Sequence, residues 1–359
     1  MQPDEVYRLL SQYNEDELFY RELFFRRKDP VKYAEFMKAL NIEEIHQRQL
    51  IIPDLQTKGY HPARFKDDFL DTKIHKNIYL QKHNRYTPSY EHDHEFFEII
   101  YVMSGKCENH IFGSTDILKE GDLCLMSPSV KHSIWTEDGL IINILIRRST
   151  IQNMFTTVFR GQNIISDFFA NSIYLRDFAT CLIFRTEGDQ AVRDQILGMF
   201  GEQMDSDAYS ESIISSMLVI FFNKLIRGYQ NTAAYPQTVN RQKEAVSRII
   251  GMLLDDPAHI TLSGLADRLG YSAVYCSRYI RKTTGCTFSE LLKKIRLQKA
   301  EELLKHTAMS ISEISGICGY ENPENFNRSF RQCYGMAPSR FRENNSEIQR
   351  KGTEILHDY

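Results

Sequence analysis

The sequence predicts a multidomain α+β protein with a helical N-terminal segment, a small antiparallel β-barrel with flanking helices, and an all-α C-terminal domain. Three observations predict it. Apolar residues recur at helical spacing towards both ends of the chain, as in Val6, Leu9, Leu10 and Tyr13. From about residue 76 to 148 the pattern changes to short β-branched and aromatic runs separated by Gly, Pro, Ser and Asp. Near the C-terminus a helix-turn-helix pattern occurs twice.

Composition sets the outer bounds. The chain has 359 residues, 42% of them hydrophobic and 25% charged, which suits two or three folded domains and excludes a disordered or fibrous protein. A net charge of −3 conceals an uneven distribution. Residues 241–345 hold 16 Lys+Arg against 11 Asp+Glu, while the rest of the chain holds 28 against 36. A locally basic C-terminal part favours contact with phosphates. Seven cysteines, an odd number with no C-x-x-C pair, argue against a disulfide framework or a structural zinc site. A redox sensor built on Cys107 or Cys124 ranks last among the readings: Cys124 has no basic neighbour in sequence, and Cys107 has only Lys106. The first ten residues carry Asp4, Glu5 and Arg8 instead of an apolar signal core, and the longest strongly apolar stretch, Met217 to Phe222, is too short to cross a bilayer. A cytoplasmic protein with no membrane partner is expected.

The elements follow in order. Residues 1–75 read as several short helices punctuated by Pro30, Pro53, Gly59 and Pro62. Residues 76–148 read as the barrel, with strands at Phe96–Met103, Lys106–Phe112, Leu123–Met126, Lys131–Trp135 and Leu140–Ile146. Residues 149–230 return to helical spacing. Their apolar stripe through Ile213, Ile214, Met217, Leu218, Phe221, Phe222 and Leu225 marks a core helix or a dimerisation helix. Residues 231–243 lose all periodicity, include Pro236 and form the linker. Residues 244–345 form the C-terminal domain, and 346–359 a tail.

The C-terminal repeat carries the function. Gly270-Tyr271 recurs as Gly319-Tyr320, 49 residues on; beyond Glu321 the offset is 50, which pairs Arg278 with Arg328, Arg281 with Arg331 and Gly285 with Gly335. In the first copy, about 262–284, Thr261 and Ser272 are helix caps and Gly270 makes the turn. In the second, about 311–334, Ser310 and Glu313 have capping-box spacing, Gly319 stops the helix, and Asn322-Pro323 starts the next. Ser289 to Leu304 is an amphipathic helix between the copies. Two short helices joined by a glycine turn place the second helix in a major groove. Cys276, Ile280, Phe326 and Phe330 fall on the opposite face and should be core.

This segment resembles the DNA-binding domain of the AraC/XylS family of bacterial regulators. The residues that carry the likeness are Leu265-Ala-Asp-Arg-Leu-Gly-Tyr-Ser272, Gly319-Tyr-Glu-Asn-Pro-Glu-Asn-Phe-Asn-Arg-Ser-Phe-Arg331 and Gly335-Met-Ala-Pro-Ser-Arg-Phe-Arg342. Two departures are Gly264, where the family usually has an acidic residue, which weakens the first cap, and Cys286-Thr287-Phe288, where proline is common. The resemblance implies that Ala273, Val274, Ser277, Arg278, Glu324, Asn327 and Arg328 face base edges, and that Arg281, Lys282 and Arg331 suit phosphates.

A second constellation lies in the barrel: His92-Asp-His94, Glu98, Gly105, then Gly121-Asp122, Pro128 and His132. Its spacing resembles the two motifs of the cupin superfamily, although Ser129-Val130-Lys131 lacks the usual glycine and shifts the histidine. In cupin enzymes the matching His92, His94, Glu98 and His132 would bind a divalent metal. AraC-type regulators carry the same pattern in effector-binding domains where it need not hold a metal. The expected pocket is therefore a metal-free effector site lined by His92, His94, Glu98, Tyr101, His132 and Trp135, with no cofactor. The whole reads as a non-enzymatic transcription regulator that binds double-stranded DNA and a small-molecule effector, forms a homodimer, and has RNA polymerase as a further partner. The alternative is a metal-dependent cupin enzyme or metal sensor fused to a DNA-binding module.

Overall fold

The structure, a computed structural model, describes residues 1–55, 63–158, 163–175, 178–235 and 244–344. Four helices open the chain: α1 (Pro3–Ser11), α2 (Glu15–Arg26), α3 (Pro30–Ala39) and α4 (Ile42–Gln47). Nine strands follow, with a short 3-10 helix at Asp67–Thr72 after the first: β1 (Arg64–Phe65), β2 (Ile78–His83), β3 (Asp93–His94), β4 (Phe97–Ser104), β5 (Lys106–Ile111), β6 (Ser114–Lys119), β7 (Asp122–Met126), β8 (His132–Trp135) and β9 (Leu140–Ile146). Then come α5 (Arg148–Val158), α6 (Ile164–Tyr174), β10 (Cys181–Arg185), α7 (Gln190–Asp205) and α8 (Ser210–Tyr229). The chain closes with α9 (Glu244–Asp255), α10 (Leu262–Leu269), α11 (Ala273–Thr284), α12 (Phe288–His306), α13 (Ile311–Ile317) and α14 (Pro323–Tyr334).

These elements form two compact units. One joins Met1–Thr150 to Ala179–Val239; the other joins Ile151–Phe178 to Asn240–Tyr359. The division differs from the sequence expectation for 149–230. That segment, read as continuously helical, contains β10, and its residues 151–178 belong with the C-terminal unit. A five-residue apolar run such as Cys181-Leu-Ile-Phe-Arg185 has no periodicity that separates strand from helix. Residues 236–243 of the expected linker and all of the tail 346–359 lie outside the described residues.

In the first unit, a five-stranded sheet in the order β10-β7-β4-β9-β2 faces a three-stranded sheet in the order β6-β5-β8. β4 pairs with β7 on one side and β9 on the other, which explains why Phe97 to Met103 is an unbroken buried run. Side chains alternate across each strand. On the inner face Ile100, Val102, Cys107, Leu118, Cys124, Met126, Ile134 and Ile141 form the barrel core. The outer edge of β2 is covered by Gln203 of α7, whose amide donates to and accepts from the Leu80 backbone at 2.7 Å each way.

The N-terminal helices belong to this unit. Asn14 caps α2 in a capping box with Glu17, and Asp29 and Asn41 cap α3 and α4. Tyr20, Leu23, Ile45, Leu50 and Ile52 pack with Tyr86 into one cluster. Beside it Glu17, fully buried, receives Lys82 Nζ at 2.6 Å and Arg85 Nε at 2.8 Å. Burial alone would raise the Glu17 carboxyl, but Arg85, Lys82 and two backbone N–H groups outweigh it and hold it below its ordinary value.

In the second unit α6 packs against α9, and the Tyr174 hydroxyl donates to Gln298 of α12. Leu297, Ala300 and Leu304 of α12 form a core with Ile314, Cys318, Phe326 and Phe330. Arg296, also on α12, donates to the carbonyls of Pro257 and Ala258 at 2.7 and 2.9 Å. Gly319 closes against the same loop: a Cβ there would stand 2.5 Å from Ala258 Cα, and its φ is +79°. The loop before the first helix-turn-helix and the turn of the second are thereby fixed to one helix.

Candidate functional site

Two regions qualify, one in each unit. The first is a cavity of about 80 Å³ inside the barrel, large enough for several waters or a small polar group. Alternation decides what reaches it. Glu98 shares the inner face of β4 with Ile100; Asn143 lies opposite Ile100 on β9, and Gln81 lies opposite Asn143 on β2. His83 comes from the same strand as Gln81, and His92, His94 and His132 line the other side with Tyr90. Phe65 and Phe69 close one wall. Phe65 is placed there by parallel pairing of β1 with β3, which sets Arg64 beside Asp93 and Phe65 beside His94, and Phe69 of the 3-10 helix packs on its ring at 5.1 Å.

The histidines share one device. His94 Nδ1 lies 2.7 Å from the Phe96 carbonyl, His132 Nδ1 3.3 Å from that of Val130, and His92 Nδ1 3.3 Å from that of Tyr90. A carbonyl only accepts, so each Nδ1 carries a proton. An ionised carboxylate likewise only accepts, so the Nε2 atoms of His94 and His132 donate to Glu98 Oε2, at 3.0 and 3.2 Å. Burial alone would raise the Glu98 carboxyl, but these two contacts hold it well below the usual carboxylate range. Burial pushes His92 and His83 down to about 4, so both are neutral near pH 7.

The donor set fits a divalent metal in part. One ligand atom each from His94, Glu98 and His132 lies within 4.8 Å of the others, and imidazole with carboxylate suits zinc, iron or manganese. Donors bound at roughly 2.1 Å to one ion stand roughly 3.0–3.5 Å apart, which the two His–Glu spacings match. Carbonyl-anchored Nδ1 atoms are also what metal-ligating histidines have. Of the four ligands that the alternative metal reading named, His92 falls outside this cluster; its ring stacks on Tyr90 at 4.6 Å and lies 4.5 Å from that of His132.

Two expected lining residues are also corrected. Tyr101 is three residues from Glu98, hence on the outer face of β4, where it is buried and feels the charges of Arg193, Asp189 and Asp194 around α7. Trp135 is three residues from His132 on β8 and its ring lies 6.2 Å from that of Phe24 on α2, tilted by 39°. Neither lines the cavity. Sequence reading missed Gln81, His83, Tyr90 and Asn143. Asn143 had a signal, as the one polar residue in Leu140–Ile146.

The second region is the pair of helices α11 and α14. Thr261 and Ser272 accept from the N–H groups of Gly264 and Tyr275, so the first cap forms despite Gly264. Ser310 and Glu313 form the capping box, Asn322 caps α14 with Pro323 at its first position, and Gly270, Gly319 and Gly335 all have φ between +70° and +79°. The turns stand where the sequence puts them. Cys276, Ile280, Phe326 and Phe330 are at most 1% exposed. The opposite faces stay in solvent: Val274, Arg278, Arg281, Lys282, Glu324, Asn327, Arg328 and Arg331 are exposed, with Ala273 and Ser277 half-buried. Three exposed residues on these faces were not anticipated: Tyr271, Tyr275 and Asn325, which accepts from Arg328 at 3.0 Å. Tyrosines spaced by four through Tyr271, Tyr275 and Tyr279 were visible in the sequence, but their exposure was not.

Comparison with known proteins bears on both regions. Residues 77–146 match the family described as AraC-like ligand binding domain, and residues 265–344 match that described as helix-turn-helix domain. The chain is 25% identical over 263 residues to the HTH-type transcriptional activator RhaS of Escherichia fergusonii, covering 70% of this chain and 87% of that protein. It is 24% identical over 271 residues to the HTH-type transcriptional activator RhaR of Pectobacterium carotovorum, covering 75% and 91%. Among solved structures, a crystal structure of apo ToxT from Vibrio cholerae aligns with a TM-score of 0.32 at 15% identity, over 74% of this chain and 96% of that one.

Proposed function

From the premise that the chain is an AraC-type transcription regulator, with a ligand-binding domain ahead of a helix-turn-helix DNA-binding domain, we propose that a small polar molecule in the barrel cavity sets its occupancy of DNA. One observation carries this. Asn143 Oδ1 and His83 Nε2 are buried against the cavity with no hydrogen-bond partner among the described residues. An orphaned buried polar atom costs about 1–3 kcal/mol, which a ligand with hydroxyl or amide groups would recover. The aromatic wall of Phe65, Phe69 and Phe96 suits the apolar face of such a molecule.

The chain then works without catalysis, in the cytoplasm, on double-stranded DNA, as a homodimer and with RNA polymerase as a further partner. Ile213 and Ile220, seven residues apart and exposed on α8, support a helix face available to a second copy. The effector acts by binding one arrangement of the dimer more tightly than another; without that difference no shift occurs. Ala273, Val274, Ser277, Arg278, Glu324, Asn327 and Arg328 read bases, and Arg281, Lys282 and Arg331 hold phosphates.

The test is thermal unfolding of the full chain against a panel of small polar metabolites, followed by footprinting with each stabilising compound. A compound that raises the midpoint and changes the footprint in the wild type but not in Asn143→Leu supports the reading. Stabilisation that Asn143→Leu retains, or a footprint that no stabilising compound alters, refutes it.

The anchored Nδ1 atoms favour a second reading, a metal sensor, in which a divalent ion displaces the protons between His94, His132 and Glu98. Equilibrium dialysis against zinc, manganese or iron would show about one ion per chain, lost in His94→Ala. Binding that His94→Ala leaves intact would place any metal elsewhere.

A further inference from the structure

The duplicated helix-turn-helix permits a comparison position by position. At an offset of 50, Cys276 and Ile280 correspond to Phe326 and Phe330, all of them core. The two helices therefore turn equivalent positions outward. Arg278 and Arg281 meet their counterparts Arg328 and Arg331 there, so the basic frame is conserved between the copies. What lies inside that frame is not. Val274 and Tyr275 of α11 stand where α14 has Glu324 and Asn325.

The difference is one of chemistry. Val274 is 65% exposed and Tyr275 45%, and Tyr271 from the preceding turn adds a third exposed apolar surface at 42%. The Tyr275 ring lies 4.9 Å from that of Tyr271 and stacks on that of Tyr279 at 5.9 Å and 12°. A ring held between two others loses little rotamer freedom when it binds. On α14 the same positions offer a carboxylate and an amide, the amide already oriented by Arg328.

We propose that α11 reads thymine methyl groups through Val274 and Tyr275, whereas α14 reads hydrogen-bonding base edges through Glu324, Asn325 and Asn327, so the two halves of each site differ in chemistry. The proposal rests on the reading of both helices as major-groove helices. In that groove thymine alone carries an apolar group, its C5 methyl, and valine has no donor or acceptor with which to read anything else. Glutamate accepts from the cytosine amino group and asparagine pairs with adenine. Arg278, Arg281 and Lys282, exposed on the same helix, fit the patch to DNA and not to an apolar protein partner.

The experiment uses the full-length chain and duplexes it selects from a random library. Each thymine is replaced in turn by deoxyuridine, which lacks only the methyl, and affinity is measured at fixed salt. We expect about four-fold weaker binding for each contacted methyl, confined to one half of the site. Val274→Ala with Tyr275→Ala should bind thymine and deoxyuridine duplexes alike, while Glu324→Gln keeps the methyl sensitivity and changes base preference in the other half. Insensitivity at every thymine, or sensitivity that survives in the double variant, overturns the proposal. If Arg278→Ala and Arg328→Ala weaken selected duplexes in that same experiment, the major-groove reading stands and only the division of chemistry falls. If they do not, both fall.

Discussion

His83 and His92 are neutral because their imidazoles are desolvated beside a cavity, and this gives the ligand-binding domain a pH dependence with a definite sign. Their folded-state values are depressed to about 4 from an ordinary 6.5, so the unfolded chain binds more protons throughout that window. Stability is fully present above pH 6.5 and is lost as the pH falls towards 4. Lowering the pH from 7 to 5 should cost about 1–2 kcal/mol for each histidine. Thermal unfolding at the two pH values checks this: His83→Gln and His92→Gln should each flatten the dependence, and a stability unchanged between pH 7 and 5 would show that neither group is desolvated. At this scale the His–Glu cluster of His94, Glu98 and His132 was legible because these residues stand at recognisable spacing, and the same spacing marked His92 beside it on the cavity wall. Tyr101 and Trp135 were misplaced although parity alone excludes them: a residue three along a strand from an inward side chain points outward. Gln81 and His83 stayed hidden because β2 itself had not been recognised, and a strand without a known register gives no face to its residues.

Among elements, those with caps were the most legible. Thr261, Ser272, Ser310 and Asn322 stand one residue before their helices because their side chains satisfy N–H groups that nothing else reaches. β6 and β10 were not seen, the first because Ser114-Thr-Asp-Ile-Leu-Lys119 is largely polar and the second because it interrupts a helical stretch. The turn of the second helix-turn-helix supplies a test of how the two copies are held. Gly319 and Gly335 have similar positive φ, but a Cβ at Gly335 meets nothing within 4 Å, whereas at Gly319 it meets Ala258 backbone at 2.5 Å. Gly335→Ala should cost about 1 kcal/mol, as expected for a left-handed alanine. Gly319→Ala should cost at least twice that and weaken binding to selected duplexes, since the loop held by Arg296 must move. Equal losses for the two variants, read by urea unfolding, would mean that the contact with Ala258 yields freely.

For the whole molecule, the charge division announced in the composition acquires a location on the exposed faces of α11 and α14. Arg278→Ala and Arg328→Ala should each cost about 1–3 kcal/mol on a selected duplex and relax base preference, while Lys282→Ala weakens specific and random duplexes alike and lowers the salt dependence. Gel shifts over a salt series separate the two classes; the same loss on both kinds of duplex for all three variants would remove the assignment of base readers. The order of domains was legible because periodicity changes where the fold class changes. The assignment of 151–178 to the C-terminal unit was not, since nothing in a helix's own apolar pattern names its neighbour.

That assignment has a practical consequence for anyone dissecting the protein. A single cut between residues 235 and 244 yields two polypeptides, yet α6 sits in the first while it packs on α9 in the second. The nicked halves should co-elute from a sizing column. A fragment begun at residue 244 would instead bare the α9 surface that α6 covers, and should aggregate until the missing helix is supplied as a peptide.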